Sequence, residues 1–251
     1  MKVNTLACLC ALAAIPAFGT EAVTSANTFG VLKVTCSAQK VIIATPWVEC
    51  LTAGNVKVTD LVMTSGLETG DAILVHQTGN IFNCWTISGG EWTPATVVLT
   101  NAVINSGDAS SAAIARGKAF WFVKASYSEP YDLYLYGQDT SDAATSTVAA
   151  GTSASPAYSL LASPKTTATN LNSANMFGFT PNAADEIRLP RTNLPDLVYT
   201  YKASETGWGT LTSEQIPGTT RYRKVWTKGC EIPAGTGFWY VSKGGTGTIT
   251  W

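Results

Sequence analysis

Two stretches decide the fold: Ile114-Ala-Arg-Gly-Lys-Ala-Phe-Trp-Phe-Val123 and Ile232-Pro-Ala-Gly-Thr-Gly-Phe-Trp-Tyr-Val241. Each carries a glycine followed by a short aromatic run that is apolar at both alternating positions. In a strand successive side chains point to opposite faces, so such a run predicts a β-strand buried on both sides, or one covered by a neighbouring loop. Gly117 and Gly235 stand just before the runs, where a glycine takes a positive φ at no steric cost. The recurrence has a fixed displacement. VIIATP at 41–46 resembles SLLASP at 159–164, and this pair and the aromatic pair are both 118 residues apart. Two motifs sharing one displacement point to two tandem copies of one domain.

Weaker matches fall between them. Gly70-Asp71-Ala72-Ile73 parallels Ala184-Asp185-Glu186-Ile187, Phe82 to Trp85 parallels Tyr199 to Lys202, and Trp92 parallels Trp208. Ser88-Gly89-Gly90, between apolar segments, reads as a hairpin turn. The expected fold is all-β: two small β-sandwiches or barrels following an N-terminal signal peptide, with spacing alone not choosing between those shapes. The expected boundaries are 1–19 for the signal, 20–140 for the first copy and 141–251 for the second. A single helical turn is expected around Asn170 to Phe177.

Composition agrees with export and with strands. Of 251 residues 45% are hydrophobic but only 13% are charged, and 16 Lys and Arg against 17 Asp and Glu leave a net charge of −1. Without a basic footprint, a nucleic-acid partner is excluded as an expectation. Lys2 followed by TLACLCALAAIPA at 5–17 reads as a secretory signal, with Ala17 and Gly19 as the small residues before a cut; the run is too short to cross a membrane. The protein is therefore expected to be secreted or held at the cell surface. Cys36, Cys50, Cys84 and Cys230 remain after cleavage, an even number that suggests disulfides, with Cys36–Cys50 as a first pairing and buried thiols as the alternative.

Catalytic sets are hard to assemble. His76 is the only histidine and no G-x-S-x-G elbow occurs, so a Ser-His-acid set has no natural members. Asp71 and Asp185 recur between the copies, and a recurring carboxylate suits a turn hydrogen bond better than one active site. No metal-ligand spacing and no phosphate loop appear, so no metal or cofactor is expected. Eight tryptophans are the unusual feature. Trp121 and Trp239 are expected in the core, while Trp92, Trp208, Trp85 and Trp226 lie near turns and are the candidates for an aromatic platform that holds sugars.

With TFGVLKV at 28–34, VIIATPW at 41–47, GLETGD at 66–71, the Cys84-Trp85 pair, LYLYGQ at 133–138 and IPAGTGFWYV, the chain resembles a family of uncharacterised secreted proteins of Verrucomicrobia and Lentisphaerae bacteria. The resemblance spans the mature chain and implies export and a duplicated β architecture; it carries no activity or catalytic residue with it. The expected function is non-enzymatic: binding to polysaccharide or a cell-envelope component, or a structural role at the surface. The alternatives are a secreted hydrolase using a carboxylate pair and an envelope assembly subunit that self-associates.

Overall fold

A computed structural model describes residues 28–45, 56–57, 67–96, 102–107, 113–114, 116–139, 144–173, 175–191 and 194–251. The expected signal at 1–19 and Cys50 lie outside the described residues. All the regular structure described is β, apart from one 3-10 turn at Ala203–Glu205, and among the described residues no helix is long and apolar enough to cross a membrane.

The first half contributes ten strands: β1 (Thr28–Cys36), β2 (Lys40–Ala44), β3 (Val56–Lys57), β4 (Ala72–Thr78), β5 (Ile81–Ser88), β6 (Glu91–Pro94), β7 (Val103–Ser106), β8 (Ala113–Ile114), β9 (Ala119–Val123) and β10 (Tyr131–Asp139). The second adds β11 (Thr145–Val148), β12 (Ala157–Ala162), β13 (Thr169–Asn170), β14 (Glu186–Arg191), β15 (Leu194–Lys202), β16 (Gly207–Gln215), β17 (Tyr222–Lys228), β18 (Glu231–Ile232), β19 (Gly237–Ser242) and β20 (Gly247–Thr250). The main sheet of the first half runs β2-β9-β4-β5-β6 and that of the second β12-β19-β14-β15-β16-β17. Two ribbons accompany each sheet: β1 with β10 and β3 with β8, then β11 with β20 and β13 with β18. The pairing order of β1 to β6 with β8 to β10 thus recurs ten strands later. The difference lies at one edge, where β7 joins β5 in parallel but β17 joins β16 antiparallel.

Each half has two layers around its own core. In the first, Ile43, Ile73, Trp85, Phe120 and Phe122 of the sheet meet Leu133 and Leu135 of the β1–β10 ribbon. In the second, Leu161, Ile187, Trp208, Phe238 and Tyr240 meet Val148 and Ile249 of the β11–β20 ribbon. The hairpin between β5 and β6 turns at Gly89 and Gly90, with φ of 64° and 89°. Both central residues lie in the left-handed region, as a twist-matched two-residue turn requires.

Two expectations are corrected here. The described residues of 170–177 are not helical: β13 ends at Asn170, turns follow at 171–173, and Asn175 has a φ of 62°. Among the described residues the cysteines do not pair either. Cys36 packs in the first core, Cys84 on the opposite face of the same sheet and Cys230 in the second core, so these three buried thiols form no disulfide with one another. Burial pushes the Cys36 thiol up to about 11, far from the thiolate form at neutral pH.

The halves meet closely at Gly237, where a Cβ would overlap Ile42 Cγ2 and Ala119 Cβ of the first half. Replacing Gly237 with Ala is expected to destabilise the protein by about 1–3 kcal/mol through overpacking. Gly218, at a φ of 74° with nothing near its missing Cβ, is the control: Gly218→Ala is expected to cost about 1 kcal/mol or less from backbone strain alone. Urea-unfolding midpoints of the two variants compare the costs directly.

Candidate functional site

The site is the seam between the halves, and alternation along β9 and β19 creates it. Phe120 and Phe122 point into the first core and Phe238 and Tyr240 into the second, so Trp121 and Trp239 must point away from both. On that outer side Ile42, Ala44 and Ala119 pack against Leu160 and Ala162, with the two indoles beside them. Trp121 and Trp239 are therefore half-buried at the interface and not core residues of a single domain, a correction to the expectation above.

The contacts across the seam are reciprocal. Ala44 N donates to Gly235 O at 3.0 Å, and Ala162 N donates to Gly117 O at 3.0 Å. Ile43 bridges Thr236 as Leu161 bridges Lys118. Members of each matched pair are the 118-residue counterparts found in the sequence. Both glycines have the expected positive φ, 85° at Gly117 and 73° at Gly235, and both lie under the first strand of the other half. A Cβ at Gly117 would overlap Ser146 Oγ, and one at Gly235 would crowd Val34. Ser146 Oγ donates to Gly117 O at 2.9 Å and accepts from Trp251 Nε1 at 2.7 Å.

Between the halves lies an apolar cleft of about 190 Å³, walled by Trp121, Trp239, Phe82, Leu74 and Val123, with Lys40 at its side. Trp239 is the hub of an aromatic cluster. It stands edge-on to His76 at 5.1 Å, to Tyr158 at 6.1 Å and to Phe82 at 6.5 Å. His76 Nε2 donates to Gly79 O at 3.0 Å, and burial lowers the pKa of the ring below its ordinary 6.5. Tyr158 is 40% exposed and brings the cluster to the surface.

Two larger clefts flank the seam on corresponding elements. One, of about 530 Å³, lies between β1 and β2 of the first half and Pro190, Arg191 and Thr236 of the second. The other, of about 370 Å³, lies between β11 and β12 of the second half and His76, Gln77 and Lys118 of the first. The first holds Lys40 and Arg191, the second His76 and Lys118, and no described carboxylate lines either.

The platform expected from Trp85, Trp92, Trp208 and Trp226 is not assembled. Trp85 and Trp92 are core residues of the first half, 1% and 8% exposed, and Trp208 is a core residue of the second at 1%. Trp226 is half-buried on β17, above Gly209 and beneath the Lys202 ammonium, whose Nζ is 5.1 Å from the ring centre. The aromatic cluster at the surface is instead Trp121, Trp239 and Tyr158. The signal in the sequence was the second apolar face of the F-W-F-V and F-W-Y-V runs; what covered it could not be read there.

The recurring carboxylates are structural. Asp71 and Asp185 are both 0% exposed. Asp71 accepts from Glu68 N at 2.9 Å and Ala125 N at 2.8 Å, and Asp185 from Asn182 N at 2.9 Å and Lys243 N at 2.6 Å. Each thus ties the loop before its own strand to the turn after β9 or β19. The third partner differs: the Lys124 ammonium at 2.9 Å for Asp71, and the Tyr240 hydroxyl at 2.8 Å for Asp185. Among the described residues no group of three or more His, Cys, Asp or Glu is placed to hold a metal ion. Comparison of the chain with protein-family models, with curated proteins and with solved structures gives no match.

His76 gives the seam a pH dependence. Because folding lowers its pKa, the unfolded chain binds more protons between the folded value and 6.5. The stability tied to a neutral His76 is present above pH about 6.5 and is lost as pH falls through the folded pKa. The one-histidine titration followed by NMR is expected to have its midpoint below 6.5, and His76→Gln is expected to flatten the fall in stability between pH 7 and 5.

Proposed function

We propose that the protein is a non-enzymatic, exported binding protein, built from two tandem copies of one β-domain, that attaches to a polysaccharide or another component of a cell surface. The observation that carries this reading is the aromatic cluster of Trp121, Trp239 and Tyr158 at the seam, half-open to solvent and bordered by polar clefts. Aromatic faces with a few placed polar groups are what a concave site uses to hold an organic ligand by stacking and orientation. Two further features support it. The equal spacing of recurring motifs is matched by the recurring order of strands, which suits one domain used twice. The carboxylates that a hydrolase would borrow are sealed in backbone hydrogen bonds and reach no cleft, which weighs against the catalytic alternative.

Self-assembly through sheet edges has less support. β17 forms an open edge carrying Arg223, Lys224 and Lys228, and like charges on an exposed strand oppose pairing with a second copy.

Residues 20–251 incubated with insoluble polysaccharides, mucin and an envelope fraction are expected to be retained on at least one of them. Tyr158→Ala is expected to lower the retained fraction several-fold at a cost of only about 1 kcal/mol in stability, from the lost contact with Trp239, so that the variant remains folded. No retention on any surface would overturn the attachment reading. Full retention by Tyr158→Ala would move the contact surface away from the seam.

A further inference from the structure

We infer that the two clefts flanking the seam are binding sites for the anionic groups of an acidic polysaccharide, one substituent in each cleft. The inference rests on the attachment reading above and names the ligand class it requires. It starts from charge placement. The chain has nearly equal numbers of acids and bases, so a cation without a carboxylate partner is not forced by composition. Several cations elsewhere meet an acid: Lys33 with Asp132 at 2.9 Å, Lys124 with Asp71 at 2.9 Å, Arg188 with Glu186 at 2.6 Å, Lys202 with Glu205 at 3.4 Å and Arg223 with Glu214 at 3.3 Å. Lys165, Arg221, Lys224 and Lys228 stand exposed outside these clefts without one among the described residues. Among the described residues no carboxylate pairs with Lys40, Arg191 or Lys118, and these are the cations of the two clefts.

Lys118 is the clearest case. It is half-buried, and burial lowers its pKa because the ammonium is partly stripped of water with no counter-charge supplied by the protein. An anion bound in the cleft supplies that counter-charge. Its neighbours suit a sugar: Gln77, Thr147 and Tyr158 offer amide and hydroxyl groups, and the Tyr158 ring offers an apolar face. In the companion cleft Lys40 and Arg191 take the place of Lys118 and His76, with Thr236 for a hydroxyl, the Thr35 hydroxyl being already committed to Asp132 at 2.7 Å. Arg191 is held by its Nε donating to Pro195 O at 2.8 Å. Reciprocal packing of the halves makes the clefts a pair, so one chain has two places for one repeating polymer. A carboxylate and a sulfate offer the same charge chemistry here, and the probes separate them.

Isothermal titration calorimetry of residues 20–251 with trigalacturonate, and separately with a sulfated oligosaccharide, is expected to show two sites per chain for at least one of them. Affinity is expected to fall about tenfold or more as salt is raised from low to high ionic strength. Lys118→Met is expected to remove one site, Lys40→Met with Arg191→Gln the other, and the three changes together all binding, with near-UV circular dichroism unchanged. Binding of neither probe, binding unchanged in the triple variant, equal binding of a neutral dextran oligomer, or equal binding of an oligoglutamate peptide would each overturn the proposal. If the triple variant is still retained on a polysaccharide, attachment stands and only the clefts are excluded; if the wild type is retained on nothing, the attachment reading falls as well.

Discussion

A strand that is apolar on both faces has to be covered twice, and the rest of this molecule follows from that requirement. β9 and β19 each turn two aromatic rings into their own core and one indole outward. Within one half the outward side of β2 and β9 has no second layer. The matching side of β12 and β19 supplies it, so each half is the cover of the other. Two backbone hydrogen bonds across the seam contribute together about 1–3 kcal/mol net. Burial of one large apolar side chain is worth about 1.5–3 kcal/mol, and the seam buries several, so packing dominates its strength. The reciprocal bonds at Gly117 and Gly235 have a different consequence: they set the register in which the surfaces meet, and so the places where the flanking clefts open.

The same frame is closed in each half by a buried carboxylate. Asp71 and Asp185 hold equivalent amides, but one is neutralised by an ammonium and the other accepts from a phenol. An ionised carboxylate out of water is tolerable only when such donors surround it, which is why the acid recurs with its backbone partners while the third donor is free to change. The surfaces of the two halves differ more than their frames do. The outward side of β4 carries Ala72 and Leu74, packed near Trp239, where β14 carries Glu186 and Arg188 bonded to each other. β16 and β17 run on as a two-stranded arm with Leu211 and Tyr222 exposed, a feature with no counterpart among the described residues of the first half.

The all-β class, the aromatic strands with the apolar segments that precede them, and the turn glycines were legible in the sequence because each rests on local chemistry: alternation, β-branched and aromatic content, and positions that only glycine occupies cheaply. The displaced motifs identified which residues correspond, and every reciprocal contact of the seam joins residues within that set. The aromatic platform was misplaced because proximity to a turn says little about exposure. Trp85, Trp92 and Trp208 sit near hairpins yet face inward, as the period-2 alternation of their strands dictates once register is known. Among the described cysteines the thiols of Cys36, Cys84 and Cys230 stay apart, and this was hidden for a similar reason, since an even count of cysteines carries no information about which layer each one joins.

By itself the sequence determined the all-β class, the turns at Gly89-Gly90, Gly117 and Gly235, and that two of its strands needed apolar surroundings on both sides. Only the tertiary structure decided what those surroundings are. Whether a second apolar face meets a loop, a ligand or another domain depends on long-range packing, and here it meets the other half. That choice buries Ile42 and Leu160, leaves Trp121 and Trp239 half-open, and leaves Lys40, Arg191 and Lys118 in clefts without a carboxylate beside them. No local pattern encodes this, because the partners lie more than a hundred residues apart in the chain and become neighbours only when the two sheets close on each other.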